Sequence, residues 1–164
     1  MNYHNITKED MLNGDGLRTV LWVSGCGHHC KGCQNPQTHD PESGILFDDS
    51  AKAELFGYLE KNYCSGLTLS GGDPLFPPNR EEVTKISKEF KEKFPNKTLW
   101  IYTGYDWEDV KDLEIMQYAD VVVDGRFVLD LADTQYKWAG SINQTVIDVK
   151  KSLESNSIVR KADR

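Results

Sequence analysis

The chain has 164 residues, 38% of them hydrophobic and 27% charged, the balance of a globular protein with a buried core. Its formal net charge of −7 argues against non-specific binding to nucleic acid or to an anionic membrane. No run approaches the roughly 18 apolar residues that span a bilayer, and the polar opening MNYHNITKED is not a signal peptide, so a cytoplasmic protein is expected.

In chain order, TVLWVSG (19–25) reads as a buried strand that runs into a loop of three cysteines. Residues 50–62 read as a helix with Ala53, Phe56 and Tyr58 or Leu59 inward. GLTLSGG (66–72) is a second strand, ended by a glycine turn. Asn79 is placed as an N-cap with Glu82 as its box partner, ahead of Val83, Ile86, Phe90 and Phe94 at helical spacing. TLWIYTG (98–104) is a third strand, and Asp106 then caps a helix carrying Val110, Leu113 and Met116. ADVVVDG (119–125) is a fourth apolar strand, and SINQTVIDV (141–149) reads as one more. From about Lys150 the chain is polar and expected to be loose.

Alternating apolar strands and helices predict an α/β fold, a single domain over 1–164 with a mainly parallel sheet covered by helices. Functional groups gather at the carboxyl ends of such strands. The cysteine loop, SGGDP, YTGY and VDGR each follow a predicted strand directly, so four unusual loops converge on one rim.

Cys26, Cys30 and Cys33 form a C-x3-C-x2-C run within that first loop. In a reducing compartment clustered thiols point to metal or redox chemistry rather than to a disulfide. Zinc would take a fourth ligand from His28, His29 or His39. A [4Fe–4S] cluster would take the three thiols and leave one iron open to a substrate or cofactor. In SGGDP, Gly71 and Gly72 permit close backbone approach and Asp73 can accept hydrogen bonds from an ammonium group; the bland alternative is an ordinary turn. Asp124 can meet a cofactor amine or ribose and Arg126 can pair with a carboxylate, against a turn aspartate and a solvent-facing arginine. Thr103 offers a hydroxyl, while Tyr105 reads as strand-end packing. Cys64 stands alone and reads as a small, semi-buried residue, and His28 and His29 as side chains that shape or shield the loop.

The C-x3-C-x2-C run after an N-terminal strand resembles the signature of radical S-adenosylmethionine enzymes. That resemblance implies an open or incomplete (βα) barrel and one [4Fe–4S] cluster on Cys26, Cys30 and Cys33, with no further catalytic residue beyond it. S-adenosylmethionine would chelate the open iron and be cleaved by an electron to a 5′-deoxyadenosyl radical. SGGDP stands where the superfamily has its GGE-type motif, with an aspartate one methylene shorter than the commoner glutamate.

NGDGLRTVLWVSGCGHHCKGCQN, LTLSGGDPL, WIYTGY, VDGRF and GSINQ together resemble the activating proteins of anaerobic ribonucleoside-triphosphate reductase, over about residues 1–148. The resemblance implies a radical placed on a glycine near the carboxyl terminus of the reductase large subunit, with a reductant such as flavodoxin supplying the electron. Carried over by position, Gly32, Cys33, Gln34 and Gly72 border the S-adenosylmethionine, beside Gly71, Asp73, Thr103, Asp124 and Arg126.

The chain departs from the family pattern at Asp15, where proline is common, at Gln34, where an aromatic is usual, and at Ala139, where the family has arginine. Asn143 and Gln144 in GSINQ have no role that follows from their residue types. The competing readings are an activase of another glycyl-radical enzyme such as pyruvate formate-lyase, a radical enzyme for a small molecule, and a non-catalytic zinc-binding module.

Overall fold

The computed structural model describes residues 1–162. Among them, seven strands form one sheet: β1 (Asn2–Asp10), β2 (Leu17–Val23), β3 (Ile45–Leu46), β4 (Cys64–Gly71), β5 (Thr98–Tyr102), β6 (Val121–Asp124) and β7 (Thr145–Asp148). Their order is β3-β1-β2-β4-β5-β6-β7. The centre β2-β4-β5-β6 is parallel, whereas β1 pairs antiparallel with β2 and β3, and β7 antiparallel with β6. The α/β class stands, but the expected mainly parallel sheet is corrected to a mixed one, and the sheet does not close on itself. The reason lies at the edges. Strand β1 buries only Tyr3 and Ile6 of its nine residues, so it carries no continuous apolar run of the kind that marks a central parallel strand.

The parallel strands read correctly because both of their faces are covered. Leu21, Val23, Leu67, Leu69, Leu99, Ile101, Val122 and Ile147 join one core with the helices. The alternate positions Trp100, Val121, Val123 and Val146 form a second cluster beneath Tyr102, Trp138 and Ala139. Helices α1 (Asp49–Leu59) and α2 (Arg80–Lys93) pack on the first face. The side chain of Asp48 caps α1 by accepting from the Ala51 N–H, which sets the helix phase. Ala51, Leu55, Phe56 and Leu59 are therefore buried, and Ala53, expected inward, is exposed.

Two predicted caps are also corrected. Asn79 has helical backbone angles and makes no capping bond; its Nδ2 donates instead to the carbonyl oxygens of Ser24 (2.8 Å) and Asp73 (3.3 Å). A 3-10 turn at Pro77–Asn79 already leads into α2, so no side-chain cap forms. Asp106 has N-cap geometry without the bond, and its helix is the single turn α3 (Trp107–Val110), followed by a 3-10 turn at Glu114–Gln117.

The stretch from Lys150, expected to be loose, carries α4 (Val149–Ser155), capped by the Asp148 side chain on the Lys151 N–H. Beyond a left-handed Asn156 the chain turns back, and Val159 accepts from the Asp148 N–H while Arg160 bridges to Ile147. Polar composition concealed this return because the backbone itself makes the contacts. No helix of the described residues is long and apolar enough to cross a membrane.

Candidate metal centre

Parallel pairing of β2, β4, β5 and β6 brings the loops after those strands to one rim, as the sequence predicts. The cysteine loop leaves β2 through Ser24 and Gly25, and backbone bonds fix its base. The Gly25 N–H donates to Thr38 O at 2.7 Å, and the Cys26 N–H to His39 O at 3.0 Å. The loop after β4 is laced to the same base, because Gly72 N donates to Val23 O at 2.8 Å and Asp73 N to Gly25 O at 2.7 Å.

Glycine is required at 71 and 72 by this lacing. A Cβ on Gly71, whose φ is +110°, would sit 2.5 Å from Val23 N and O. One on Gly72 would sit 2.6 Å from Gly25 O and 2.8 Å from Thr38 O. Their small size thus admits the backbone of the cysteine loop itself. Gly32 is exposed with φ +75°, and a Cβ there would meet Leu129 of the loop after β6 at 3.0 Å.

None of the four cysteines is in a disulfide. Cys26, Cys30 and Cys33 are part-exposed, and Cys64 is buried at the start of β4 with its Sγ 3.5 Å from Thr19 Oγ1. Cys64 therefore reads as packing, as expected from its isolation. Cys33 Sγ accepts from the Asn35 N–H at 3.4 Å and lies 3.4 Å from His39 Nε2. Burial pushes the Cys26 thiol above its ordinary pKa, and burial beside His29 pulls the His39 imidazole below its own. Among the described residues no three His, Cys, Asp or Glu side chains are grouped as ligands of one ion. The three soft, reduced thiols on a glycine-containing loop fit a cluster.

Asp73 is 1% exposed and is the hub of the rim. Its Oδ1 accepts from Leu75 N and from Thr103 Oγ1, each at 2.9 Å. Its Oδ2 takes Gly104 N at 2.9 Å and His28 Nε2 at 2.7 Å. Both oxygens are engaged by the protein, and the Thr103 hydroxyl is committed to Asp73. Asp124 is similarly occupied: it accepts from Trp107 N at 2.9 Å and Thr145 N at 3.1 Å, holding α3 and β7 to the end of β6. Burial holds its carboxyl pKa above the ordinary value, opposed only in part by the two N–H donors.

Two expected side chains remain free toward solvent. Gln34 and Arg126 are exposed and make no side-chain hydrogen bond with the described residues. Arg126 lines a cleft of about 340 Å³ together with His28, Gly104, Tyr105, Asp106 and Asn143. The GSINQ segment acquires a role that its composition did not disclose. Gln144 Oε1 accepts from Gly140 N and Ser141 N, both at 3.0 Å, while its Nε2 donates to Gly125 O at 2.9 Å. Asn143 Nδ2 donates to Arg126 O at 2.9 Å, so both amides brace the VDGR turn.

Of the departures from the family pattern, the Asp15 carboxylate pairs with Lys161 at 2.7 Å, and Ala139 packs with Trp138 against the cluster around Trp100.

Residues 12–147 match the family model of a 4Fe-4S single cluster domain. Relatives in several organisms bear the name anaerobic ribonucleoside-triphosphate reductase-activating protein. The relative in Enterobacteria phage T4 is 46% identical over 144 residues, covering 88% of this chain and 92% of its own. That of Haemophilus influenzae is 40% identical and that of Escherichia coli K12 is 37% identical, each over 150 residues, 89% of this chain and 97% of the relative. With its thiol loop and rim placed as the fold dictates, the chain belongs to the family of anaerobic ribonucleoside-triphosphate reductase-activating proteins and carries a 4Fe-4S single cluster domain.

Proposed function

We propose that the chain is a radical S-adenosylmethionine activase that places a glycyl radical on an anaerobic ribonucleoside-triphosphate reductase. The observation that carries this reading is the C-x3-C-x2-C loop at the carboxyl end of β2, laced by backbone bonds to the SGGDP loop, within a chain of this family. Cys26, Cys30 and Cys33 would hold the cluster, and S-adenosylmethionine would bind beside it. When bound, the cluster would pass one electron to S-adenosylmethionine, whose C–S cleavage would release methionine and supply a 5′-deoxyadenosyl radical able to take a hydrogen atom from a glycine near the reductase carboxyl terminus. A flavodoxin-type reductant provides the electron.

The chain's own contribution is orientation and shielding. Backbone groups of Gly32, Gly71 and Gly72 border the cofactor, because Asp73, Thr103 and Asp124 already spend their side chains on holding the rim together. The latter three act by shaping the pocket. Arg126 is positioned to take a carboxylate as a fork, and Gln34 stands beside Cys33 with its amide free. The Asn35 N–H donates to the Cys33 sulfur, a bond that stabilises thiolate character in a cluster ligand.

Anaerobic reconstitution with iron and sulfide tests the assignment: uptake of about four irons per chain supports a [4Fe–4S] site, and one tightly held zinc contradicts it. Arg126→Ala is expected to weaken S-adenosylmethionine binding at least tenfold, as loss of a charged two-point contact does. Unchanged affinity by equilibrium dialysis would remove Arg126 from the site.

A further inference from the structure

His28 lies between Cys26 and Cys30, yet its side chain is only 6% exposed while the neighbouring His29 is open to solvent. A buried imidazole in a part-exposed loop calls for a partner, and it has one: Nε2 is 2.7 Å from Asp73 Oδ2. Since a carboxylate oxygen can only accept, Nε2 carries the proton. The ring also stands edge-on to Tyr105, with centres 4.5 Å apart. The space for it is made by glycine, because a Cβ at Gly104 would come within 2.5 Å of His28 Cδ2.

The oxygen that receives His28 also receives the Gly104 N–H and, at 3.1 Å, the Thr103 hydroxyl. Asp73 is itself fixed by Leu75 N and by its own N–H on Gly25 O. One carboxylate thus joins the cysteine loop, the loop after β4 and the loop after β5. Among the described residues, no backbone N–H from 27 to 32 donates to a carbonyl oxygen of another segment, so the middle of the cysteine loop is tied to its neighbours through side chains: the His28 bond to Asp73 and the edge-on contact of His29 with His39, ring centres 4.8 Å apart.

We propose that His28 is a positioning residue: its bond to Asp73 holds the middle of the cysteine loop against the loops after β4 and β5, and so sets where the three thiols stand relative to the cofactor pocket. The proposal rests on the cysteine loop being the cluster site.

The test compares wild type, His28→Ala and His28→Gln, first as apo-protein by hydrogen–deuterium exchange and then after reconstitution. In the alanine variant, peptides covering 24–35 and 103–106, whose bonded amides include Gly25, Cys26, Cys33, Thr103 and Gly104, are expected to exchange about tenfold faster at those amides, as befits loss of a buried hydrogen bond to a charged group. Glutamine can place its amide Nε2 on the same carboxylate and is expected to restore protection. After reconstitution the alanine variant keeps the wild-type iron content, but adding S-adenosylmethionine changes its EPR signal less, and glutamine restores the change. Unaltered exchange in both peptides of the alanine variant overturns the proposal. So does a loss of iron like that of the cysteine variants, which would make His28 a ligand. Should the alanine variant not fold, the glutamine variant decides alone, with wild-type protection supporting the proposal and faster exchange overturning it. If the wild type takes up no iron the cluster reading fails, while the exchange result still reports on the His28 bond.

Discussion

Asp73 follows two glycines at a strand end, a place that marks it for a role at the rim, and burial makes its carboxylate a hub of that rim. Four donors converge on it, from Leu75, Thr103, Gly104 and His28. Asp73→Ala would leave these buried donors without an acceptor. It is expected to lower stability by about 3 kcal/mol, read as a reduced urea midpoint with an unchanged slope. Gly72→Ala would press a methyl against Gly25 O and Thr38 O, so it is expected to displace the cysteine loop and reduce iron uptake on reconstitution. Residue type alone hid Gln144, whose three-way bracing of the VDGR turn depends on contacts that no residue-type argument contains.

At the level of elements, legibility followed burial. Strands β2, β4, β5 and β6 are covered on both faces and were readable as apolar runs. Strands β1 and β3 escaped because edge positions are polar or short, and α4 because its short amphipathic pattern sits among lysines and serines. In α1 the expected inward positions Phe56 and Leu59 are buried, while Ala53 is exposed because the buried stripe runs through Ala51 and Leu55. Asp48→Ala is expected to cost about 1 kcal/mol, and Leu55→Ala, fully buried on the same helix, about 3 kcal/mol, both measurable by chemical denaturation.

The buried Arg18 is the other element-level tie. Its guanidinium bonds to Thr68 Oγ1, Thr98 Oγ1 and the carbonyl oxygens of Asp15, Leu67 and Thr98, with no carboxylate among its hydrogen-bond acceptors. Burial lowers its pKa to about 10. The folded form therefore holds this proton less tightly than the unfolded chain, and the cost of burying the charge is relieved as pH rises through about 10. Arg18→Lys cannot reproduce the planar fork and is expected to destabilise by about 2 kcal/mol.

For the molecule as a whole, an open mixed sheet with a parallel centre gathers at one rim the cysteine loop, SGGDP, YTGY and VDGR, the loops that follow β2, β4, β5 and β6. The four-strand centre explains why the site was legible before the edges of the fold were. The net charge of −7 argues against non-specific binding to nucleic acid. The most direct test of the account mixes the anaerobically reconstituted chain with the reductase, S-adenosylmethionine and a reductant, and records EPR. A glycyl-radical signal is predicted for the wild type and for Cys64→Ala, and none for Cys26→Ala, Cys30→Ala or Cys33→Ala. A radical formed by any of those three variants, or none from wild type carrying a full complement of iron, would contradict it.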